Sequence, residues 1–184
     1  MSSWLQNPLH AVEEFINIST SLSKESDLNR LLDMLLSAAR RLTGADAGIL
    51  YILDNTKRFL YVEVSHCDSA IFNCKEFPSV PLYINDQRNF SEVCAYCTFT
   101  GKTLNTENVY KYSGFNMDVY YRMDRRLRYK SKSLLTIPMR NKDNYTLGVM
   151  QLFNLIDKNT GDVAIFPQEL ESLVRAFASQ GAMA

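Results

Sequence analysis

The sequence has no surplus of either charge sign. Its 20 lysines and arginines balance 20 aspartates and glutamates, so no global field draws nucleic acid or anionic lipid toward it. No apolar run approaches the roughly 18 residues needed to cross a bilayer, and no secretory apolar region follows Met1. The expected location is cytoplasmic, with no membrane contact by this piece. Its seven glycines are scattered, with no GxGxxG or Walker spacing to cradle a phosphate. Histidine is limited to His10 and His66. Around His66 no serine, cysteine or acid completes a nucleophile, base and orienter set. Internal repeats and low-complexity segments are absent, and the length suits one domain with a core of ordinary size.

Cysteine is present but in a spacing that argues against a metal. Cys94-Ala-Tyr-Cys97 has the CxxC form, so a zinc site or a redox pair has to be weighed. The other two, Cys67 and Cys74, have six residues between them and fit no zinc-ribbon pattern. The CxxC lies in a helical-looking segment, where positions i and i+3 share a face and pack. Reduced structural thiols are the favoured reading, with no metal and no cofactor.

What is there is a pair of apolar runs, Leu134–Met139 and Leu147–Phe153, joined by the polar residues 140–144. Runs this short and rich in Leu, Ile, Val and Phe predict two adjacent antiparallel strands. In the second, Leu147, Val149 and Phe153 fall on one face while Met150 and Leu152 fall on the other. A sheet apolar on both faces must be covered on both.

Other elements are placed around that pair. Asn7-Pro8 reads as a helix start, and Leu9, Val12, Phe15, Ile16 and Leu22 follow at helical spacing. A second helix opens at Asp27, carries Leu28, Leu31, Leu32, Leu35, Leu36, Ala39 and Leu42 on one stripe, and ends at Gly44. Ala47–Leu53 and Phe59–Val64 predict a hairpin. The residues from Ser65 to Asn89 read as a long loop with one short strand near Val80–Ile84. Asn89 and Glu92 are spaced like a capping box for a short helix ending at Gly101. Lys102–Asn105 suggests a brief strand, Tyr110–Lys132 a second irregular region, and Pro167 opens a final helix carrying Leu170, Leu173, Val174 and Phe177. The predicted class is α+β: a central antiparallel sheet of about five or six strands, with N- and C-terminal helices on one face. A short helix and long loops would cover a pocket on the other.

These residues resemble a known module. Leu28–Asp46, Gly48–Asp54, Thr100–Val109 and Ser133–Asn154, in that order, look like a GAF domain. The pieces TGKTLN, SLLTIPM and LGVMQLFN carry the resemblance jointly. GVMQLFNLIDKNTGDVAIFPQELESLVRAFASQ is similar to GAF domains that precede HD-GYP phosphodiesterase, cyclase or histidine kinase outputs. The resemblance implies a non-catalytic sensory domain with a small-molecule pocket, often dimeric through its terminal helices. Residues 1–25 would then be a signalling and dimerisation helix, 26–166 the sensory domain, and 167–184 a helix leading to an absent output domain in the same full-length chain. Two histidines cannot supply the metal cluster of an HD-GYP output.

GAF domains that bind cyclic nucleotides often carry Asn-Lys, then Phe, then an acidic pair. Asn154, Phe166 and Glu169 match, whereas Leu155 replaces the Lys and one acid is missing, which puts cyclic AMP or GMP in doubt. Bilin-binding relatives usually follow the attachment cysteine with His; here Ala95 and Thr98 follow instead.

The candidate ligand-binding residues are His66, Asp68, Tyr96, Cys97, Thr98, Asp118, Tyr120, Ser133 and Thr136. His66 and Asp68 follow a strand end expected at the pocket mouth; the bland alternative is a loop histidine paired with a carboxylate or water. Arg122, Arg125, Arg126, Arg128, Lys130 and Lys132, interleaved with Tyr120, Tyr121 and Tyr129, form the one basic cluster. A solvated or partner-facing surface is favoured there over nucleic-acid binding. Apolar surplus on the terminal helices (Val12, Phe15, Ile16, Ile18; Leu173, Val174, Ala176, Phe177) would suit a homodimer seam. Two other readings stay open: a ligand-free dimerisation module, and a free methionine sulfoxide reductase working through cysteine.

Overall fold

A computed structural model describes residues 16–22 and 24–182. The proposed helix start at Asn7-Pro8, with Leu9, His10, Val12 and Phe15, lies outside the described residues; residues 16–22 are helical. Helix α1, Leu28–Thr43, begins and ends where its side chains dictate. The Asp27 carboxylate accepts from the Arg30 N–H at 3.1 Å. Gly44 takes a left-handed φ of 76° and donates its N–H to the Arg40 carbonyl, the geometry glycine adopts without a Cβ clash.

Strands β1 (Ala45–Leu53) and β2 (Phe59–Cys67) form the first hairpin, with β2 running three residues past the predicted Val64. Two-residue strands follow: β3 (Val80–Pro81), β4 (Tyr83–Ile84) and β5 (Gln87–Arg88). Helix α2 is Val93–Thr100, closed by Gly101 at φ 67°. Strand β6 is Leu104–Thr106. Helix α3, Asp118–Leu127, occupies ten residues of a region expected to be irregular. Then come β7 (Leu134–Arg140), β8 (Thr146–Ile156), β9 (Val163–Ala164) and α4 (Gln168–Gly181). The antiparallel sheet runs β3-β2-β1-β8-β7-β6, with β9 pairing to the end of β8.

The central strands β1, β7 and β8 are buried on both faces, as their lack of alternation requires. One face packs Leu50, Leu135, Ile137, Met139, Met150 and Leu152 against α1 and α4. The approach is close: a Cβ on Gly181 of α4 would stand 2.4 Å from Leu35 of α1. Val174 and Phe177, counted above as surplus for a dimer seam, are fully buried in this layer. Ala176 and Ile16 are exposed, and Leu173 is half-buried.

The opposite face packs Ile49, Tyr51, Val149 and Phe153 under α2, α3 and the segment between β2 and β3. Both segments expected to roof this face do so, through Phe77, Leu82, Met117 and Tyr120. The roof is closed. Side chains that would line an open pocket there are instead almost without exposure: Tyr120 5%, Phe153 2%, Cys97 0%.

Candidate functional site

The covered face contains a polar node that a hydrocarbon core has no need for. Register pairs Gln151 of β8 with Thr136 of β7 and with Ile49 of β1, and the period of two points Gln151 to the same side as Val149 and Phe153. Its Nε2 donates to the Tyr120 hydroxyl on α3 at 2.8 Å and to Thr136 Oγ1 at 3.1 Å. All three residues are buried. Beside them Tyr51 is 4% exposed, and its hydroxyl has no hydrogen-bond partner among the described residues. Burial pushes both phenols well above their ordinary range, and Cys94 and Glu92 push in the same direction.

Glu92 sits at the start of α2 without capping it. The capping box expected of Asn89 and Glu92 does not form. Asn89 instead accepts from the Ser91 backbone and hydroxyl and donates to the Pro81 carbonyl. That leaves the half-buried Glu92 carboxylate with no hydrogen bond or ion pair among the described residues. Burial raises its pKa, and the field of Arg122 pulls it partly back.

The thiols nearby are inert by environment. Burial pushes Cys97 up to about 12 and Cys94 well above its ordinary range, with Cys97 and Glu92 adding to the effect. Cys94 lies in the first turn of α2, a position that favours a thiolate, and burial outweighs that effect. Cys67 is raised as well, by burial first. All four cysteines are free, and among the described residues no three His, Cys, Asp or Glu side chains converge as metal ligands.

The nine expected ligand residues divide among several surroundings. Cys97, Tyr120 and Thr136 come together under α2 and α3. Tyr96 instead packs edge-on against Phe90 and Phe115 at the rim. The Thr98 hydroxyl donates to the Cys94 carbonyl within its own helix. Asp118 is exposed in the first turn of α3. Ser133 is buried, and its oxygen accepts from the Leu155 N–H.

His66 and Asp68 lie apart from the Tyr120–Gln151–Thr136 node. His66 Nε2 lies 2.7 Å from Asp33 of α1, and Asp68 pairs with Arg40 of α1 at 2.7 Å. Residue 66 pairs across the hairpin with Gly48, whose absent Cβ would meet Leu36 and Arg40. Both therefore serve the helix side of the sheet, away from the covered face. Sequence reasoning missed Tyr51, Glu92 and Gln151. Gln151 carried a signal, as the amide in the middle of an apolar run of β8, with Asn154 the only other amide of that strand.

The residues matching the nucleotide-type motif have internal partners. Asn154, at φ 53°, donates to the Tyr129 hydroxyl and the Lys130 carbonyl and accepts from the Lys132 N–H. It clasps the chain entering β7. Phe166 is buried, its carbonyl accepting from Asn105, while Glu169 is exposed in the first turn of α4.

A sheet backed by terminal helices on one side and covered by short helices and loops on the other is the architecture of small regulatory modules. The GAF domain model matches residues 27–184, and the chain belongs to the GAF family, sensory and regulatory domains found in chemotaxis and photoreceptor proteins among others. The GAF domain of a phosphoenolpyruvate-protein phosphotransferase from Coxiella burnetii is 14% identical with a TM-score of 0.73, covering 96% of this chain and 92% of that one. A methyl-accepting chemotaxis protein is 20% identical with a TM-score of 0.68, covering 90% and 92%. A free methionine-R-sulfoxide reductase from Neisseria meningitidis, in complex with its substrate, is 14% identical with a TM-score of 0.59, covering 91% and 87%. At such identities the likeness carries the fold alone. No curated protein sequence matches. Among the described residues no helix is long and apolar enough to cross a membrane.

Proposed function

We propose that this GAF domain is a non-catalytic cytoplasmic sensor that admits a small polar molecule between the sheet and α2 and α3. The observation that carries the reading is the unpartnered Tyr51 hydroxyl and Glu92 carboxylate beside the Tyr120–Gln151–Thr136 node. Neither group is wholly enclosed, so pairing each with a ligand group would gain the net value of one hydrogen bond, about 0.5–1.5 kcal/mol. A molecule with a donor nitrogen aimed at Glu92 and a polar group on Tyr51 would supply both bonds. The lining side chains are almost without exposure, so in this reading α3 lifts to admit the molecule.

Transmission to an output domain in a longer chain, of the HD-GYP, cyclase or kinase kind, would use the alternation of β8. Gln151 faces the node, while its neighbours Met150 and Leu152 press on α1 and α4. A ligand shifts such an equilibrium only by its different affinity for the two arrangements. A homodimer through residues 1–25 and α4 fits this scheme. Catalysis through cysteine is disfavoured by the buried, proton-holding thiols Cys94 and Cys97.

Native mass spectrometry of the purified chain, followed by denaturation and small-molecule identification, tests the reading. A stoichiometric co-purifying molecule is expected, lost from Tyr51→Phe combined with Glu92→Gln but retained by His66→Ala. No bound molecule, together with no thermal shift across panels of amino acids, nucleosides and polyamines, would leave the ligand-free dimerisation module as the better account.

A further inference from the structure

Helix α3 has two faces with different occupations. Tyr120, Met123, Asp124 and Leu127 turn inward, and Asp124 ties the helix down by accepting from the Ser131 N–H and hydroxyl at 2.7 Å each. The outer face and the residues after it carry Arg122, Arg125, Arg126, Arg128, Lys130 and Lys132, all exposed. None of these six pairs with a carboxylate among the described residues. Elsewhere in the same chain Arg30, Arg40, Arg58 and Arg175 each hold one. Like charges at i, i+3 and i, i+4, as in Arg122 with Arg125 and Arg126, weaken a helix. The dipole of α3 offsets this for Arg125 and Arg126 in its last turn, but not for Arg122, Lys130 or Lys132.

Against this face lies a groove of about 470 Å³. One bank is Lys75, Glu76, Phe77 and Pro78, and the other is Val119, Arg122, Met123 and Arg126. Arg126 fixes the two banks together by donating to the Glu76 carbonyl at 3.2 Å. The groove is apolar at its base, where Phe77, Val119 and Met123 are buried or half-buried, and three cations against one acid rim it.

We propose that the outer face of α3 and this groove dock an acidic segment of a protein partner, an apolar side chain of that segment resting on Phe77 and Met123. This goes beyond the small-molecule reading and does not depend on it. Charge complementarity selects an acidic occupant. Arg125, Arg128, Lys130 and Lys132, exposed and next in sequence but outside the groove's lining, add positive charge to this part of the chain. A nucleic acid would lack the apolar anchor and would seek open aromatic faces. Tyr121, the exposed aromatic of the helix, already has its ring 4.6 Å from that of Tyr110.

The test is fluorescence polarisation of the chain with a labelled peptide of alternating Glu and Ser around one central Phe. Binding that weakens with added salt and falls roughly tenfold or more in Arg122→Glu/Arg126→Glu is expected, with a weaker response when Phe becomes Ser. Because Arg126 also holds the loop, Lys75→Glu/Arg122→Glu supplies a second variant that leaves that contact intact, and circular dichroism checks both folds. The proposal is overturned if the peptide fails to bind at low salt or if folded variants bind it unchanged. Tighter binding of oligouridylate or phosphatidylserine vesicles through the same arginines would also overturn it.

Discussion

The two faces of the sheet are built from different materials. Toward α1 and α4 the layer is leucine, isoleucine, valine, alanine, methionine and two phenylalanines. Toward α2 and α3 it holds tyrosines, both members of the CxxC pair and the Gln151 node. Hydrocarbon packing is non-directional and scales with area removed from water, so the first face supplies stability without specifying polar geometry. Hydrogen-bonded interior groups specify geometry and penalise any mismatch. One face acts as a foundation and the other holds the candidate site, and β8 alternates between them residue by residue.

The contrast breaks most visibly if the costs of truncation are reversed. Phe177→Ala, in the aliphatic layer and without exposure, is expected to cost about 3–5 kcal/mol in urea denaturation. Tyr120→Phe on the other face, which deletes one acceptor of Gln151 and no ring volume, should cost about 1 kcal/mol. Equal losses would mean that both faces are foundations.

Alkaline titration sharpens the same contrast, because the buried ionisable groups sit on the site face. Cys97 ionises at an ordinary 9.0 when unfolded and is pushed up to about 12 in the fold. Between those values the unfolded chain has lost a proton that the native one keeps. Its stability is therefore full below pH 9 and falls as pH rises toward 12, by about 2 kcal/mol midway. Chemical denaturation at pH 8 and 10.5 should show that fall in the wild type. A smaller fall is expected in Cys97→Ala.

The foundation was legible in the sequence and much of the site was not, for physical reasons. Helix α1 announced itself through its leucine stripe, the Asp27 cap and Gly44, and β7 and β8 through short apolar runs. All of these are local. Helix α3 escaped because its inward face carries Asp124, whose partners Tyr110 and Ser131 lie outside the helix, so the apolar period looked broken. The partner of His66 was not legible, because Asp33 is 33 residues away and meets it only when α1 packs on the sheet. Glu92 looked like half of a capping box, a local rule that the neighbouring Pro81 carbonyl overrode by capturing Asn89.

Within the site, Gln151→Leu separates a positioning role from simple filling. Leucine preserves volume but removes the donor shared by Tyr120 and Thr136, leaving two buried oxygens with one partner fewer. The expected cost is about 1–2 kcal/mol, largely recovered in Gln151→Leu/Tyr120→Phe/Thr136→Val, where nothing polar is left to satisfy. A single variant as stable as the wild type would show that the node contributes nothing to the fold. Failure of the triple variant to recover would instead mark the loss as a packing effect.

The smallest effect is the most specific to the proposed site. Glu92 has its pKa raised from an ordinary 4.5, chiefly by burial. Below 4.5 both states are protonated and the group contributes nothing to pH dependence. As pH rises past that value the unfolded chain ionises first, and the penalty on the native state grows until its own pKa is passed and stays constant above it. Glu92→Gln removes the penalty, so the variant should be more stable than the wild type at pH 7 by up to about 1 kcal/mol, with the gap closing near pH 4. Paired denaturation curves at the two pH values decide the matter. A variant less stable at pH 7 would show that Arg122 already compensates the carboxylate, and Glu92 would then have no unmet demand for a ligand to satisfy.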